Sequence, residues 1–302
     1  MALKHSLLQK WVIATRLETT LLALTSVALG SALAAYTGTF DAKIGLLAAV
    51  TASLLQVTCN LANDYGDLVH GADALNTIKA PSALQTSLIT FAQARKALWG
   101  LLIATAGCGL LLLYMAKLPP VALGSFLLLG MLAMAAALTY TLGSQPYGYQ
   151  GGGDLAVFLF FGLIGVGGTF YLHTQQLRPI WLLPAISYGS LVVGVLNVNN
   201  LRDLTFDTQV GKNTLPVRIG REAAIYYHWS LLSVSIGTMV GFLWSAIPFP
   251  TWPYACLCLF PWLVRHGIAV SRLSPTALDQ QLLVLVFLAF AWGMLLSIGL
   301  CL

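Results

Sequence analysis

Nine apolar stretches, each about as long as a bilayer is thick, follow one another along this chain of 302 residues and leave little between them. They run approximately over 17–36, 42–63, 97–116, 119–139, 152–172, 180–200, 223–247, 251–270 and 279–301. A spanning helix needs about 20 mostly apolar residues. In hydrocarbon only helices and closed barrels satisfy their own backbone groups. Charged residues make up 8% of the chain, where a soluble domain carries roughly a quarter, so a water-facing surface could not be covered. The expectation is one all-α integral membrane domain over residues 1–302, embedded in a lipid bilayer, with no room for a separate soluble unit.

The connections support this reading. Lys117-Leu-Pro119-Pro120 separates the third and fourth runs, and Pro248-Phe-Pro250-Thr-Trp-Pro253 separates the seventh and eighth; proline ends one helix and opens the next. Alternating the loops places twelve of the fifteen Lys and Arg on one side and Lys43, Lys117 and Arg178 on the other. By the positive-inside rule the richer side, which includes the N-terminus, is cytoplasmic, and the membrane is the cytoplasmic (inner) membrane. The basic residues form no stripe and have no interleaved aromatics, which argues against nucleic acid; no obligate protein partner is implied. The five cysteines lie in or beside apolar runs without zinc or redox spacing. The start of the chain carries no small-residue cleavage site, so no removable leader is expected.

Against this apolar background, five of the ten acidic residues fall in two short polar stretches. The first runs from Asn60 to Asp73 and contains Asn63, Asp64 and Asp67; the second runs from Asn197 to Asp207 and contains Asn200 and Asp203. Aligned, their shared positions are 136 residues apart, each following a run that ends on the cytoplasmic side, which reads as a parallel internal repeat. Spacings of three and four put side chains on one helix face. Two such faces across a cavity supply hard oxygen ligands suited to Mg²⁺ shared with substrate phosphate, whereas zinc would ask for His or Cys. His70, His173, His228 and His266 form no ligand pattern.

Arg202, Lys212 and Arg218 follow the second acidic stretch. Lys212 and Arg218 are candidates to hold a phosphate oxygen, with topology signalling as the plainer reading. A third polar stretch, Tyr140 to Asp154, is rich in glycine and tyrosine. Its Tyr140, Tyr147 and Tyr149 suit either an interfacial belt or a cation held over ring faces. Asp154 suits either a helix cap or a contact to a substrate hydroxyl. Arg16 and Glu18, at the head of the first run, read most simply as interfacial anchors.

On Asn60–Asp73, Tyr140–Asp154 and Asn197–Gly220 the chain resembles the UbiA superfamily of intramembrane prenyltransferases, and within it the branch acting on 1,4-dihydroxy-2-naphthoate in menaquinone synthesis. The resemblance implies about nine transmembrane helices around a central cavity. It assigns Asp64, Asp67, Asp203 and Asp207 to Mg²⁺ and catalysis, with Asn60, Asn63 and Asn200 assisting. Asn60, Lys212, Arg218 and Lys79 would contact diphosphate; Tyr140, Tyr147, Asp154 and Arg16 would face the substrate or the allylic cation. The implied reaction is Mg²⁺-dependent transfer of a polyprenyl group from its diphosphate to the aromatic acid, with decarboxylation, giving demethylmenaquinone. The chain departs from the family's pattern at Thr77-Ile-Lys79-Ala-Pro81-Ser82, where relatives carry two arginines and a Gly-Pro, and at Arg16-Leu17, where they carry Arg-Pro. Another aromatic acceptor, 4-hydroxybenzoate or homogentisate, is the nearest alternative. A cation-coupled transporter is the more distant one, disfavoured because the acids gather at one side of the membrane and not at its middle.

Overall fold

The computed structural model describes residues 7–71 and 82–302; among these the backbone is helix and connecting turn, without a strand. A short helix α1 (Leu7–Thr15) precedes α2 (Leu17–Tyr36), α3 (Ala42–Val69), α4 (Phe91–Ala116) and α5 (Pro120–Thr139). Then come α6 (Gly153–Thr174), α7 (Pro179–Arg202), a short α8 (Leu204–Gln209), α9 (Leu215–Ala246), α10 (Trp252–Arg272) and α11 (Pro275–Cys301). Nine of these, α1 and α8 being the exceptions, are long and apolar enough to cross a membrane among the described residues. The expected turns are present: α4 stops at a left-handed Lys117 and α5 starts on Pro120 behind Pro119. Helix α1 was not foreseen, because Met1–Lys10 reads as merely short and polar.

The described parts of both acidic stretches are largely helical. α3 continues through Asn60, Asp64 and Asp67 to Val69 and stops at Gly71, whose φ of +69° suits a residue without Cβ. α7 carries Asn197 to Arg202 before the chain turns at Asp203. Asn and Asp are poor helix formers. Here, however, leaving the helix at this depth would strand backbone N–H and C=O groups with no water to meet them.

Burial grades across the bundle. About two-thirds of the apolar windows of α2 and α7 are buried and only 11% of that of α5, so α2 and α7 form the axis and α5 faces lipid. Tyr188, Leu191 and Leu201 of α7 pack with Leu29 and Leu33 of α2 and Leu285, Trp292 and Leu296 of α11. Some buried polar side chains pair across helices. Tyr188 Oη donates to the Leu22 carbonyl at 2.9 Å, and Trp292 Nε1 donates to Ser187 Oγ at 3.1 Å. Such pairs join helices that have no hydrophobic drive to associate in lipid.

α6 crosses α7 where both are bare. Its turns from Phe158 to Gly168 are π-helical. A Cβ on Gly162 would sit 2.7 Å from the Ala185 carbonyl oxygen and 3.0 Å from Gly189 Cα. The two backbones therefore touch directly, and a side chain at either glycine must push the helices apart. Gly162→Val should cost about 1–3 kcal/mol, read as a lower unfolding temperature in detergent; an unchanged value would mean that the crossing is loose.

Candidate active site

On α3, Asn60, Asn63, Asp64 and Asp67 lie along one face. Asn60 does not reach the cavity described below. Its Nδ2 donates to the Thr15 carbonyl at 2.8 Å and to Thr19 Oγ1 at 2.9 Å, fastening the α1–α2 junction to α3. Asp64 is 1% exposed and paired with the Arg16 guanidinium. Arg16, between α1 and α2, has a left-handed backbone (φ 45°). Asp67 accepts from Tyr149 Oη at 2.7 Å and from Lys212 Nζ at 2.9 Å. The 140s chain lies directly on this helix because residue 66 is glycine: a Cβ there would meet Thr141 Oγ1 at 2.6 Å.

The opposite wall comes from the end of α7 and from α8. Arg202, 4% exposed, grips Asp203 with two parallel bonds, Nε to Oδ1 at 2.9 Å and Nη2 to Oδ2 at 2.7 Å. It also donates to Asn199 Oδ1 at 2.9 Å and, across to the head of α11, to Asp279 Oδ1 at 2.7 Å. Asp207 follows one turn later and is buried. The chain then turns at Gly211 (φ +74°), with the Lys212 amide donating to the Asp207 carbonyl at 2.8 Å. That turn sends the Lys212 ammonium across to Asp67 and over the Tyr149 ring, 4.6 Å from its centre.

Between the walls is a cavity of about 90 Å³. Of the residues singled out from sequence, Arg16, Asn63, Asp67, Tyr140, Tyr149, Asn200, Asp203, Asp207 and Lys212 line it together. Asp64 stands behind Arg16. Arg218 stands apart: its Nε donates to the Asn213 carbonyl at 3.0 Å and its Nη2 to the Gln150 carbonyl, so it staples two loops. Tyr147 packs edge-on against Tyr140 at 5.3 Å. Asp154 follows Gly153, whose Cβ position would lie 3.1 Å from the Tyr140 hydroxyl. Neither Tyr147 nor Asp154 reaches the cavity wall. Lys79 and Asp73 lie outside the described residues. Sequence reading missed Thr141, Asn199, Phe206 and Thr214 in the lining and Asp279 behind it. Asp279 had one available signal, as an acid at the mouth of a greasy helix in a chain with few acids.

Arg16, Arg202 and Lys212 pair with Asp64, Asp203 and Asp67 respectively. Burial, opposed by the Lys212 ammonium and reinforced by Asp203 and Asp67, raises the Asp207 carboxyl from 3.8 to about 7. A raised carboxyl holds its proton more tightly folded than unfolded. Its stabilising contribution is therefore full below the unfolded value and is lost as pH rises through about 7. In chelator, the unfolding temperature should fall between about pH 5 and about pH 8, and Asp207→Asn should flatten that slope; an equally steep slope in the variant would place the titration elsewhere. Burial likewise drives the Tyr140 phenol well above its usual range, so it stands there neutral, presenting a ring and a hydroxyl rather than a phenolate.

Asn63, Asp67, Asn200, Asp203 and Asp207 give hard oxygen donors on two sides of one space, the chemistry a magnesium ion takes. Among the described residues no three acidic, His or Cys side chains close on a single point. A metal held here would therefore keep positions open for substrate oxygens. The donor set fits Mg²⁺ of the substrate-sharing kind.

The sequence model of the UbiA prenyltransferase family matches residues 23–294. The chain is 39% identical to the 1,4-dihydroxy-2-naphthoate octaprenyltransferase of Escherichia coli, covering 96% of each. It is 38% identical to the protein of that name from Haemophilus influenzae, over 96% of this chain and 97% of that one. Among solved structures it superposes on a UbiA homolog from Aeropyrum pernix with a TM-score of 0.68 at 17% identity, covering 94% and 98% of the two chains. It also superposes on a UbiA homolog from Archaeoglobus fulgidus bound to GPP and Mg²⁺, with a TM-score of 0.62 at 13% identity, covering 95% and 99%. At those identities the structures speak for the fold alone.

Proposed function

The chain belongs to the UbiA prenyltransferase family, and from that premise we propose that it transfers a polyprenyl group from polyprenyl diphosphate to 1,4-dihydroxy-2-naphthoate at the cytoplasmic side of the inner membrane. The acceptor follows the names of the relatives, which align over nearly their whole length. The side of the membrane follows the distribution of Lys and Arg. The observation that carries the reading is a single cavity walled by Asp67 of one acidic stretch and by Asp203 and Asp207 of the other, with Lys212 between them. A donor of roughly 40 carbons gains about 0.8 kcal/mol for each CH₂ kept in lipid, which accounts for a site placed in a membrane bundle.

Asn63, Asp67, Asn200, Asp203 and Asp207 would hold Mg²⁺, which supplies charge stabilisation to the departing diphosphate. Lys212 and Arg16 present N–H donors to the same oxygens. As the allylic C–O bond breaks, its electron pair leaves with the diphosphate. The ring of Tyr140 faces the cation left behind, and the apolar surround keeps water from it. The electron-rich naphthoate ring forms the new C–C bond at the carbon bearing the carboxylate, and loss of that group as CO₂ restores aromaticity, giving the diol demethylmenaquinol, which a separate two-electron oxidation converts to demethylmenaquinone.

Membranes containing the protein are given labelled polyprenyl diphosphate with 1,4-dihydroxy-2-naphthoate, 4-hydroxybenzoate or homogentisate in turn. Mass spectrometry should find prenylated, decarboxylated product with the naphthoate. Product from either other acid alone would overturn the acceptor.

A further inference from the structure

The cations of this site differ in how firmly they are held. Arg202 makes four bonds to three side chains and is 4% exposed; it is part of the frame. Arg16 and Lys212 each reach a carboxylate through one nitrogen, Arg16 to Asp64 and Lys212 to Asp67. Both also line the cavity, and Arg16 stands between it and Asp64.

A divalent cation offered by itself must take Asp64 or Asp67 from these partners. It would leave a guanidinium or an ammonium without its counter-charge in a partly buried place, where an unpaired charge is costly. A diphosphate removes that cost, because its oxygens accept from the same N–H groups. We propose that Arg16 and Lys212 are exchangeable counter-ions, which release the first acidic stretch to metal only when a diphosphate arrives to receive them, so that metal and diphosphate are bound together. This rests on the prenyl-transfer reading above and extends it: the form of the substrate that the protein retains is the metal–diphosphate complex, and metal alone is held weakly. By linkage, whatever factor the diphosphate adds to metal affinity, the metal adds to diphosphate affinity.

The test is binding, without turnover. Free Mn²⁺ is followed by its paramagnetic resonance signal over the full-length protein in detergent. The titration is made with and without a prenyl S-thiolodiphosphate, after subtracting the affinity of that compound for Mn²⁺ in buffer. The wild type should bind Mn²⁺ about 30-fold more tightly with the analogue than without it. In Arg16→Gln and in Lys212→Gln, Mn²⁺ alone should bind several-fold more tightly than in the wild type, and the coupling should shrink. A purely structural role for either residue predicts weaker metal binding instead. Equal Mn²⁺ affinity with and without the analogue in the wild type, or weakened metal-alone binding in both variants, overturns the exchange. If the naphthoate assay still yields product in that case, the prenyl-transfer reading stands without it. Failure of the analogue to bind at any metal concentration removes both.

Discussion

Asp67→Asn should lower the rate of product formation by at least about 10²-fold while leaving the protein folded. Asp67 is the point at which the two walls of the site meet: it belongs to α3, yet its carboxylate is bonded by Tyr149 from the 140s loop and by Lys212 from beyond α8. The amide keeps the shape and can still accept from Tyr149, so the change removes charge rather than packing. Charge matters here because the step to be assisted is separation of a diphosphate from a carbon cation. A preorganised electrostatic partner for such a step is worth about 10²–10³-fold in rate. Asp203→Asn, on the other wall, should cost as much. The double variant should be little worse than either single one, because groups that act as a unit fail together. Initial rates with purified protein decide this. Full activity in both single variants would end the assignment of these carboxylates to the reaction, and multiplied losses in the double variant would mean that the two stretches work separately.

Arg202→Gln should be the most destabilising change at the site, by about 3–5 kcal/mol. Arg202 satisfies both oxygens of buried Asp203 and ties them to Asn199 and to Asp279 on α11. Removing it leaves Asp203 charged and buried without its counter-ion, which is the costly way to break a buried pair. Arg202→Lys should recover part of the stability and little of the activity, since an ammonium cannot reproduce the two-pronged grip. The decisive comparison is Arg202→Gln with Asp203→Asn together. Neutralising both partners should return most of the lost unfolding temperature and none of the lost turnover. Stability that stays low in the pair would put the cost in packing and not in the orphaned charge.

Much of this was legible in the chain because a membrane simplifies the reading. Apolar length alone set the spans, and the observed helices begin and end near the expected places except where polar function intervenes. α3 outruns its apolar segment to reach Val69; that extension carries polar residues that a hydropathy reading trims away, while the helix backbone has every reason to continue. In α9 the helical turn from Leu215 is separated by a kink at Gly220 (φ +80°) from the long span, which begins near the expected residue 223. The site's acids were legible by contrast with their surroundings, and Lys212, which follows the second acidic stretch, lines the same cavity as Asp67, Asp203 and Asp207. From its neighbours alone Arg16 reads as an anchor, because its partner Asp64 is 48 residues distant and no local pattern joins them; only the family resemblance puts it at the substrate. The link between Asp279 and Arg202, 77 residues apart, has no local pattern either; the only sequence signal at Asp279 is an acid at the mouth of an apolar helix. Arg218 shows the converse: a basic residue beside an acidic stretch looks like a phosphate ligand, yet it is absent from the cavity lining and donates from Nε and Nη2 to the Asn213 and Gln150 carbonyls.

The measurement that bears most directly on the shared site is an anomalous-scattering map from crystals grown with Mn²⁺ and a prenyl S-thiolodiphosphate. The account predicts metal peaks between Asp67 on one side and Asp203 and Asp207 on the other, with the diphosphate between them and Lys212 turned onto its oxygens. Peaks held by one acidic stretch alone, or a diphosphate bound at the opposite end of the bundle, would contradict it.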